Sequence, residues 1–122
     1  MQEHKKTLVI GASEKPERYS NKAIRMLRKY GHEVVAVGIK KGQVEDVIFD
    51  SEKKHWSDID TVTLYIGPIH QPEYYDYILY LKPKRIIFNP GTENDNFYAM
   101  AKDHNIKCME ACTLVLLTTG QY

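Results

Sequence analysis

Residues 7–37 read TLVIGASEKPERYSNKAIRMLRKYGHEVVAV and place a strand, a loop, a helix and a second strand in succession. Thr7–Ile10 is a short apolar run closed by Gly11, which is the pattern of a strand buried on both faces. Ser20 is predicted to cap a helix whose apolar residues recur every three or four positions, and Glu33–Val37 is predicted as the second buried strand. Two such strands joined by one helix form a parallel βαβ unit with a right-handed crossover.

The rest of the chain continues the alternation of strands and helices. Further strands are predicted over Thr61–Ile66, Arg85–Phe88 and Ile106–Cys108, and further helices over Pro72–Leu81, Asp95–His104 and Cys112–Thr118. Between Gly42 and Asp58 the pattern indicates a short edge strand, with a turn or short helix near Lys53–Trp56. This order predicts an α/β fold, a Rossmann-like three-layer sandwich with a mostly parallel sheet of about five strands.

The composition excludes several classes of protein. The chain has 122 residues, so one domain over residues 1–122 is expected. Lys and Arg number 17 against 16 Asp and Glu, and this balance argues against a nucleic-acid or anionic-membrane binder. No apolar run approaches the roughly 18 residues of a membrane span. Two cysteines and a start without an apolar segment predict the reducing cytoplasm.

Loops rich in glycine, proline or polar residues follow four of the predicted strands. They are Gly11–Ser20, Gly38–Lys41, Gly67–Gln71 and Asn89–Glu93. In a doubly wound α/β fold, ligands bind beyond the carboxyl ends of the parallel strands, where these loops would meet. We therefore expect the binding groups at this edge of the sheet.

The loop after the first strand has the composition of a phosphate-binding loop. Gly11 allows a tight turn, so that main-chain N–H groups of Gly11, Ala12 and Ser13 and the start of the following helix can face an anion. Lys15 and Arg18 add positive charge beside that helix end, where they can pair with a diphosphate. The loop lacks the second and third glycines of the dinucleotide fingerprint G-x-G-x-x-G.

The end of the second strand discriminates between nucleotide ligands. An NAD site usually has Asp or Glu there, about 20 residues after the glycines, to bind the ribose 2′-hydroxyl. Here the chain reads Gly38-Ile39-Lys40-Lys41. Lysines at this point favour a ribose that carries a phosphate, as in NADP or the 3′-phosphate of coenzyme A.

The same loops offer few groups for catalysis. Glu93 has no visible partner as a general base, and Ser13 with His70 lacks the G-x-S-x-G turn of a nucleophile. Cys112 at a helix start has the position of a reactive thiol, but a small buried cysteine is the more common interpretation, as for Cys108. The histidines His4, His32, His55 and His104 are predicted at the surface. No catalytic residue and no metal ligand is therefore predicted.

Five segments together resemble a known family, the small single-domain CoA-binding proteins whose fold is shared with the N-terminal domain of the succinyl-CoA synthetase alpha subunit. The segments are Val9–Ser13, Pro16–Ser20, Tyr30–Val34, Phe88–Gly91 and Glu110–Thr113. The resemblance implies a Rossmann-like domain that holds CoA, with the pyrophosphate near Gly11, Ala12, Ser13 and Arg18, a loop shaped by Pro16 and Ser20, and the adenosine portion against Gly38, Ile39 and Lys40. Asn89, Pro90 and Gly91 complete the expected cofactor-binding set.

Two features set this chain apart from the family pattern. Ile39-Lys40 replaces the Asn-Pro pair that family members commonly carry after the second strand, and residues 65–70 read YIGPIH in a loop that varies within the family. The histidine that the synthetase phosphorylates belongs to a second domain that this chain lacks, so the resemblance does not imply ligase activity.

The predicted helix over Pro72–Leu81 carries apolar and tyrosine side chains on every face. Such a helix needs two covering surfaces, one being the sheet. Tyrosine is enriched at protein interfaces, so the other surface is expected to be a second copy of the chain, in a homodimer.

The sequence thus predicts a cytoplasmic protein that binds CoA or an acyl-CoA without catalytic machinery of its own. The alternative is a small enzyme, either an NADP-linked reductase or a CoA-thioester hydrolase or transferase. A third interpretation is a regulatory subunit that binds CoA as a signal and acts through another protein.

Overall fold

The computed structural model describes residues 3–122, and within that range it contains seven β-strands and four α-helices. The strands are β1 (Thr7–Ala12), β2 (Val34–Gly38), β3 (Gly42–Val44), β4 (Val47–Phe49), β5 (Thr61–Leu64), β6 (Arg85–Phe88) and β7 (Lys107–Glu110). The helices are α1 (Tyr19–Lys29), α2 (Tyr75–Leu81), α3 (Asp95–Asp103) and α4 (Thr113–Thr118), and two single 3₁₀ turns, Pro68–His70 and Pro72–Tyr74, precede α2.

Five strands form one parallel sheet in the order β2-β1-β5-β6-β7. The chain starts inside the sheet at β1, builds β2 on one side and then continues from β5 on the other side. The strand order therefore reverses between β1 and β5, which is the topological switch point where doubly wound folds bind ligands. The predicted Rossmann-like fold with a five-stranded parallel sheet is confirmed.

The two faces of the sheet have separate hydrophobic clusters. Along β1, Leu8 and Ile10 point to one face and Val9 to the other, as the alternation of side chains in a strand requires. The first cluster includes Ile78 of α2 and the second includes Leu27 of α1. Helices therefore cover both faces, which gives the three layers.

The stretch between β2 and β5 differs from its prediction. In place of one short edge strand, β3 and β4 form an antiparallel hairpin outside the main sheet. The amide of Gly38 donates to the carbonyl of Asp50 at 3.0 Å, which attaches the hairpin to β2. The turn or short helix predicted near Lys53–Trp56 is absent, since residues 51–60 have no regular structure. The backbone there is held by α2, because the Tyr77 hydroxyl donates to the carbonyl of Lys54.

Several predicted element ends were wrong. Ser20 does not cap α1: the cap position belongs to Arg18, and Ser20 is buried within the first turn of the helix. The carbonyl of Arg18 already accepts the first helical bond, from the amide of Lys22 at 3.1 Å. The helix predicted from Pro72 begins with a 3₁₀ turn, and its α-helical part starts at Tyr75.

The remaining differences are shifts of one or two residues. β2 begins at Val34, β5 ends at Leu64, α3 ends at Asp103, β7 covers Lys107–Glu110 and α4 begins at Thr113. Such shifts are usual where a helix or strand ends without a strong breaker residue.

His32, predicted at the surface, is buried and 1% exposed. Its Nδ1 accepts a hydrogen bond from the amide of Lys5 at 2.9 Å, and its ring lies 4.9 Å from the ring of Tyr122. The chain end folds back over the amino ends of the strands and covers this imidazole. The other three histidines predicted at the surface, His4, His55 and His104, are exposed.

Helix α2 is covered on two sides by the chain itself. Tyr77 and Ile78 are buried in the core, and the Tyr77 hydroxyl donates to the carbonyl of Lys54 in the segment before β5. Tyr80 remains 65% exposed. None of the helices described in residues 3–122 has both the length and the hydrophobicity that crossing a membrane requires.

Candidate functional site

The four loops expected at one edge of the sheet do meet there. They leave the carboxyl ends of β1, β2, β5 and β6, which are parallel in the sheet. A fifth segment, Ala111-Cys112, leaves β7 at the same edge and leads into α4. This segment was not among the predicted loops, because the strand was predicted to end at Cys108, two residues before the end of β7.

Gly11 is required by the close approach of two loops. Its φ is +98°, and a Cβ on this residue would lie 2.8 Å from the carbonyl oxygen of Tyr65 and 3.0 Å from Cγ2 of Ile66. The residue therefore lets the loop after β1 lie directly against the loop after β5, at the switch point. Ala12, which follows, is buried at 7% exposure.

The loop Ser13–Arg18 is held in a defined shape. The amide of Lys15 donates to Oγ of Ser13 at 3.1 Å, and the amide of Arg18 donates to the carbonyl of Lys15 at 3.0 Å. Pro16 and Arg18 are exposed. The loop thus presents two cations, Lys15 and Arg18, at the surface beside the start of α1.

The amino end of α1 is suited to an anion. Arg18 at the cap position makes no side-chain hydrogen bond to the first turn, and the first turn contains no acidic residue. The amides of the first turn and the positive end of the helix dipole therefore remain available. Ser20, predicted to shape the loop, instead packs in the interior at 4% exposure.

The loop after β2 adjoins the loop after β1. A Cβ on Gly38 would lie 2.5 Å from the carbonyl oxygen of Ala12. Gly38 is buried, whereas Ile39 is 86% exposed and Lys40 is also exposed. The structure therefore places the loop predicted for the pyrophosphate directly beside the loop predicted for the adenosine.

The β3–β4 hairpin lies against the loop after β1, a contact that the sequence did not predict. A carboxylate oxygen of Glu14 accepts a hydrogen bond from the amide of Gln43 at 2.9 Å. A Cβ on Gly42 would lie 2.6 Å from Cγ of Glu14, so the hairpin and the loop after β1 are in contact. The glycine at position 42 is the one signal in the sequence for this close packing.

Asn89 lies in the interior and does not face solvent. It is 2% exposed, its Nδ2 donates to the hydroxyl of Thr63 at 2.7 Å and to the carbonyl of Leu64 at 2.9 Å, and its Oδ1 accepts from the amide of Thr113 at 2.8 Å. These bonds join β6 to β5 and to the start of α4. Asn89 therefore has the geometry of a residue that positions its neighbours.

The residues after Asn89 are at the surface. Pro90 and Gly91 are exposed, and Gly91 has a φ of +91° with no atom within 4 Å of a Cβ built on it. The carboxylate of Glu93 accepts from the amide of Gly91 at 2.9 Å. Asn94 caps α3, because its Oδ1 accepts from the amide of Phe97 at 3.0 Å.

Two titratable side chains in or directly after the strands have raised pKa values. Burial raises the pKa of the Cys108 thiol to about 11, so this thiol is protonated at neutral pH. Burial also raises the pKa of the Tyr65 hydroxyl well above its usual value. Within residues 3–122 no three His, Cys, Asp or Glu side chains gather in the way a metal ion would need.

Exposed apolar side chains lie at the same edge as the cations. Tyr19 at the start of α1 is 66% exposed, Ile39 after β2 is 86% exposed, and Ile69 after β5 is 84% exposed. Exposed apolar residues in adjoining loops often mark a binding surface. The edge thus combines exposed cations and free N–H groups with exposed apolar side chains.

Comparison with solved structures supports the fold. A crystal structure of an uncharacterized protein is 44% identical, with a TM-score of 0.96, and the match covers 99% of this chain and 100% of that chain. The cell-free ID.343 protein of Thermus thermophilus is 19% identical with a TM-score of 0.83, covering 98% of this chain and 91% of that one. A hypothetical protein of Pyrococcus horikoshii OT3 is 23% identical with a TM-score of 0.78, covering 92% and 80%. The last two similarities concern the fold alone.

Comparison with families is more specific. No curated protein matches the chain significantly. A family model described as CoA binding domain matches residues 5–118. That range includes all the loops at the carboxyl edge, and the resemblance found in the sequence is confirmed. The chain belongs to the CoA binding domain family.

Proposed function

We propose that this protein binds CoA or an acyl-CoA at the carboxyl edge of its sheet and has no catalytic machinery of its own. The observation that carries the proposal is the family match over residues 5–118, which spans every loop at that edge. The geometry of the edge supports the position of the ligand. It supplies unoccupied N–H donors at the start of α1, two exposed cations and exposed apolar side chains in adjoining loops.

The pyrophosphate is assigned to the loop after β1. Main-chain N–H groups of the loop and of the first turn of α1 favour an anion at this point. Arg18 is exposed and adds a planar group with five N–H donors, which suits phosphate oxygens. Gly11, Ala12 and Ser13 provide the tight backbone path, and Pro16 restricts the loop.

The adenosine portion is assigned to the end of β2, next to the pyrophosphate. Ile39 exposes most of its side chain and offers an apolar contact to a base, while Lys40 offers a cation to the 3′-phosphate. Gly38 supports this assignment because its lack of a Cβ lets the two loops touch. Pro90 and Gly91 are assigned to the opposite side of the ligand, where Asn89 positions them.

Binding without catalysis is supported by the state of the candidate reactive groups. Oγ of Ser13 accepts a hydrogen bond from Lys15, and the carboxylate of Glu93 accepts one from Gly91. His70 is exposed, and its imidazole makes no hydrogen bond to another residue in the described part of the chain. A nucleophile needs a base within hydrogen-bond reach, and these side chains have other partners or none.

Calorimetry on protein stripped of bound ligand tests the proposal. CoA, acetyl-CoA, dephospho-CoA, NADP and NAD are titrated side by side. The proposal expects CoA or acetyl-CoA to bind more tightly than dephospho-CoA, and NAD not to bind. Binding of NADP without CoA would favour the reductase, and turnover of acetyl-CoA in the same samples would favour the thioester enzyme.

We also propose that two copies of the chain associate through α2. Support comes from Tyr80, which is 65% exposed and lies 4.7 Å, ring to ring, from the exposed His55. Because residues of the chain itself cover the other sides of α2, this contact is small and the dimer is expected to be weak. Sedimentation of Tyr80→Glu beside wild type tests it: a monomeric wild type at high concentration would contradict it.

The proposed compartment is the cytoplasm. Both cysteines, Cys108 and Cys112, are free thiols in the structure, as is usual for proteins of reducing compartments. Localisation of a tagged chain by fractionation tests this point.

A further inference from the structure

Two side chains of α1, Asn21 and Arg25, donate hydrogen bonds to main-chain carbonyls of the loop after β1. Asn21 is 3% exposed, and its Nδ2 donates to the carbonyl of Ser13 at 3.0 Å. Nη2 of Arg25 donates to the carbonyl of Pro16 at 3.2 Å. The two side chains are joined, since Nε of Arg25 donates to Oδ1 of Asn21 at 2.7 Å. Both ends of the Asn21 amide are therefore used, as a buried amide requires.

These bonds fix the orientation of two peptide units in the loop. The described peptide bonds are all trans, and in a trans peptide the C=O and N–H groups point in opposite directions. Because the carbonyl of Ser13 points to Asn21, the N–H of Glu14 points away from it. By the same geometry the N–H of Glu17 points away from Arg25.

The two outward amides have no partner in the described part of the chain. Neither the N–H of Glu14 nor that of Glu17 donates to another residue there. The carboxylate of Glu14 is engaged with the amide of Gln43 in the β3–β4 hairpin. The loop therefore presents two oriented donors next to the exposed guanidinium of Arg18.

We propose that Asn21 and Arg25 are positioning residues for the ligand: they turn the Glu14 and Glu17 N–H groups outward as donors to the pyrophosphate. This inference rests on the proposed function. Neither residue touches the ligand itself. Arg25 acts through its hydrogen bonds, because its guanidinium is directed at the loop carbonyl and at Asn21.

The affinity of three variants for CoA tests the inference. Asn21→Ala removes the bond to Ser13, and Arg25→Lys keeps the charge but not the planar fork that reaches Pro16 and Asn21 together. Both are expected to weaken CoA binding about tenfold, which corresponds to about 1.4 kcal/mol. The matched control is Lys29→Ala, an exposed cation in the last turn of the same helix, far from the loop, which should change the affinity less than about twofold.

Amide hydrogen exchange gives a second readout that does not depend on affinity. In wild type, saturation with CoA is expected to protect the amides of Glu14 and Glu17. In Asn21→Ala at saturating CoA, the protection of the Glu14 amide should be lost, because its peptide unit is free to turn. Should Asn21→Ala fail to fold, Arg25→Lys provides the same test at an exposed position, on the Glu17 amide.

The possible failures are distinguishable. Wild type that binds CoA, with both variants binding equally well, would overturn the positioning role and leave the proposed function standing. If the Glu14 and Glu17 amides of wild type exchange as fast with saturating CoA as without it, the positioning role is likewise overturned and the proposed function still stands. Wild type that does not bind CoA at all would overturn the proposed function, and the positioning role with it.

Discussion

A side chain on residue 11 would place its Cβ 2.8 Å from the carbonyl oxygen of Tyr65, which makes Gly11 the contact point between the loops after β1 and β5. The positive φ of +98° disfavours other residues independently. Since the strand order reverses between these two strands, this contact sets the floor of the proposed ligand site. Replacing Gly11 by a residue with a side chain should therefore affect both the stability of the fold and the binding of the ligand.

Replacement of Gly11 by Ala is expected to lower the free energy of unfolding by about 2 kcal/mol or more, through backbone strain and a steric clash. Gly91→Ala is the matched control, because Gly91 has a φ of +91° but open space where its Cβ would stand. Urea unfolding of both variants measures the difference. An equal decrease of the free energy of unfolding in the two variants would show that the close approach of residue 11 to Tyr65 adds nothing to the effect of the positive φ.

Arg18→Ala tests the cation beside the start of α1. If Arg18 binds the pyrophosphate, its loss should cost about 1.5–3 kcal/mol of CoA binding, or about 10- to 150-fold in Kd. Lys107→Ala, an exposed cation at the other end of the sheet, is the control for net charge. Calorimetry measures both variants, and an unchanged affinity in Arg18→Ala would remove this residue from the site.

Lys40→Ala tests the position of the 3′-phosphate. The variant should bind CoA more weakly than wild type does and dephospho-CoA about equally well, because dephospho-CoA lacks the group that the lysine would pair with. Two parallel titrations give the ratio of the two affinities. A ratio that stays at its wild-type value in Lys40→Ala would mean that the 3′-phosphate lies elsewhere.

His32 predicts a loss of stability in acid. Burial, and then the positive charges of His4, Lys5 and Arg85, lower the pKa of this imidazole below its usual 6.5. The folded state therefore binds fewer protons than the unfolded state. The contribution of His32 to the free energy of unfolding is fully present above about pH 6.5. It is lost as the pH decreases from there towards the lowered pKa of the folded state, by at most about 1.4 kcal/mol per pH unit.

Urea unfolding of wild type, His32→Gln and His55→Gln at neutral pH and at about pH 5.5 measures this effect. His55 is exposed and its variant is the control. The decrease of stability in acid should be smaller in His32→Gln than in the other two proteins. An equal decrease in all three would show that the acid sensitivity has another origin.

The sheet and its flanking helices were predictable because local patterns determine them. The apolar runs of Thr7–Ile10 and Arg85–Phe88 are too short for helices and are flanked by loop residues, so only buried strands fit. The βαβ order then restricted the topology. The edge on which the loops meet followed from the parallel strands without any knowledge of side-chain contacts.

The structure differs from the prediction where the sequence has no local pattern that indicates the feature. The β3–β4 hairpin turns at Glu45, which has a φ of +53°, and glutamate gives no sequence signal for such a turn. His32 is buried by Tyr122, which is close in space but at the far end of the chain. Asn21 and Arg25 stand four residues apart on a helix, a spacing that permits their contact. The carbonyls that they hold, in Ser13 and Pro16, depend on the path of the loop.

The most direct test of the account is a titration of ¹⁵N-labelled, ligand-free protein with CoA, followed by amide chemical shifts. We predict that the largest changes fall in Gly11–Arg18, Gly38–Lys40 and Gly91, at the carboxyl edge of the sheet. The amino edge, around His32 and Lys107, should change little. Changes concentrated at the amino edge, or no change at saturating CoA, would contradict the proposal that this edge is a CoA site.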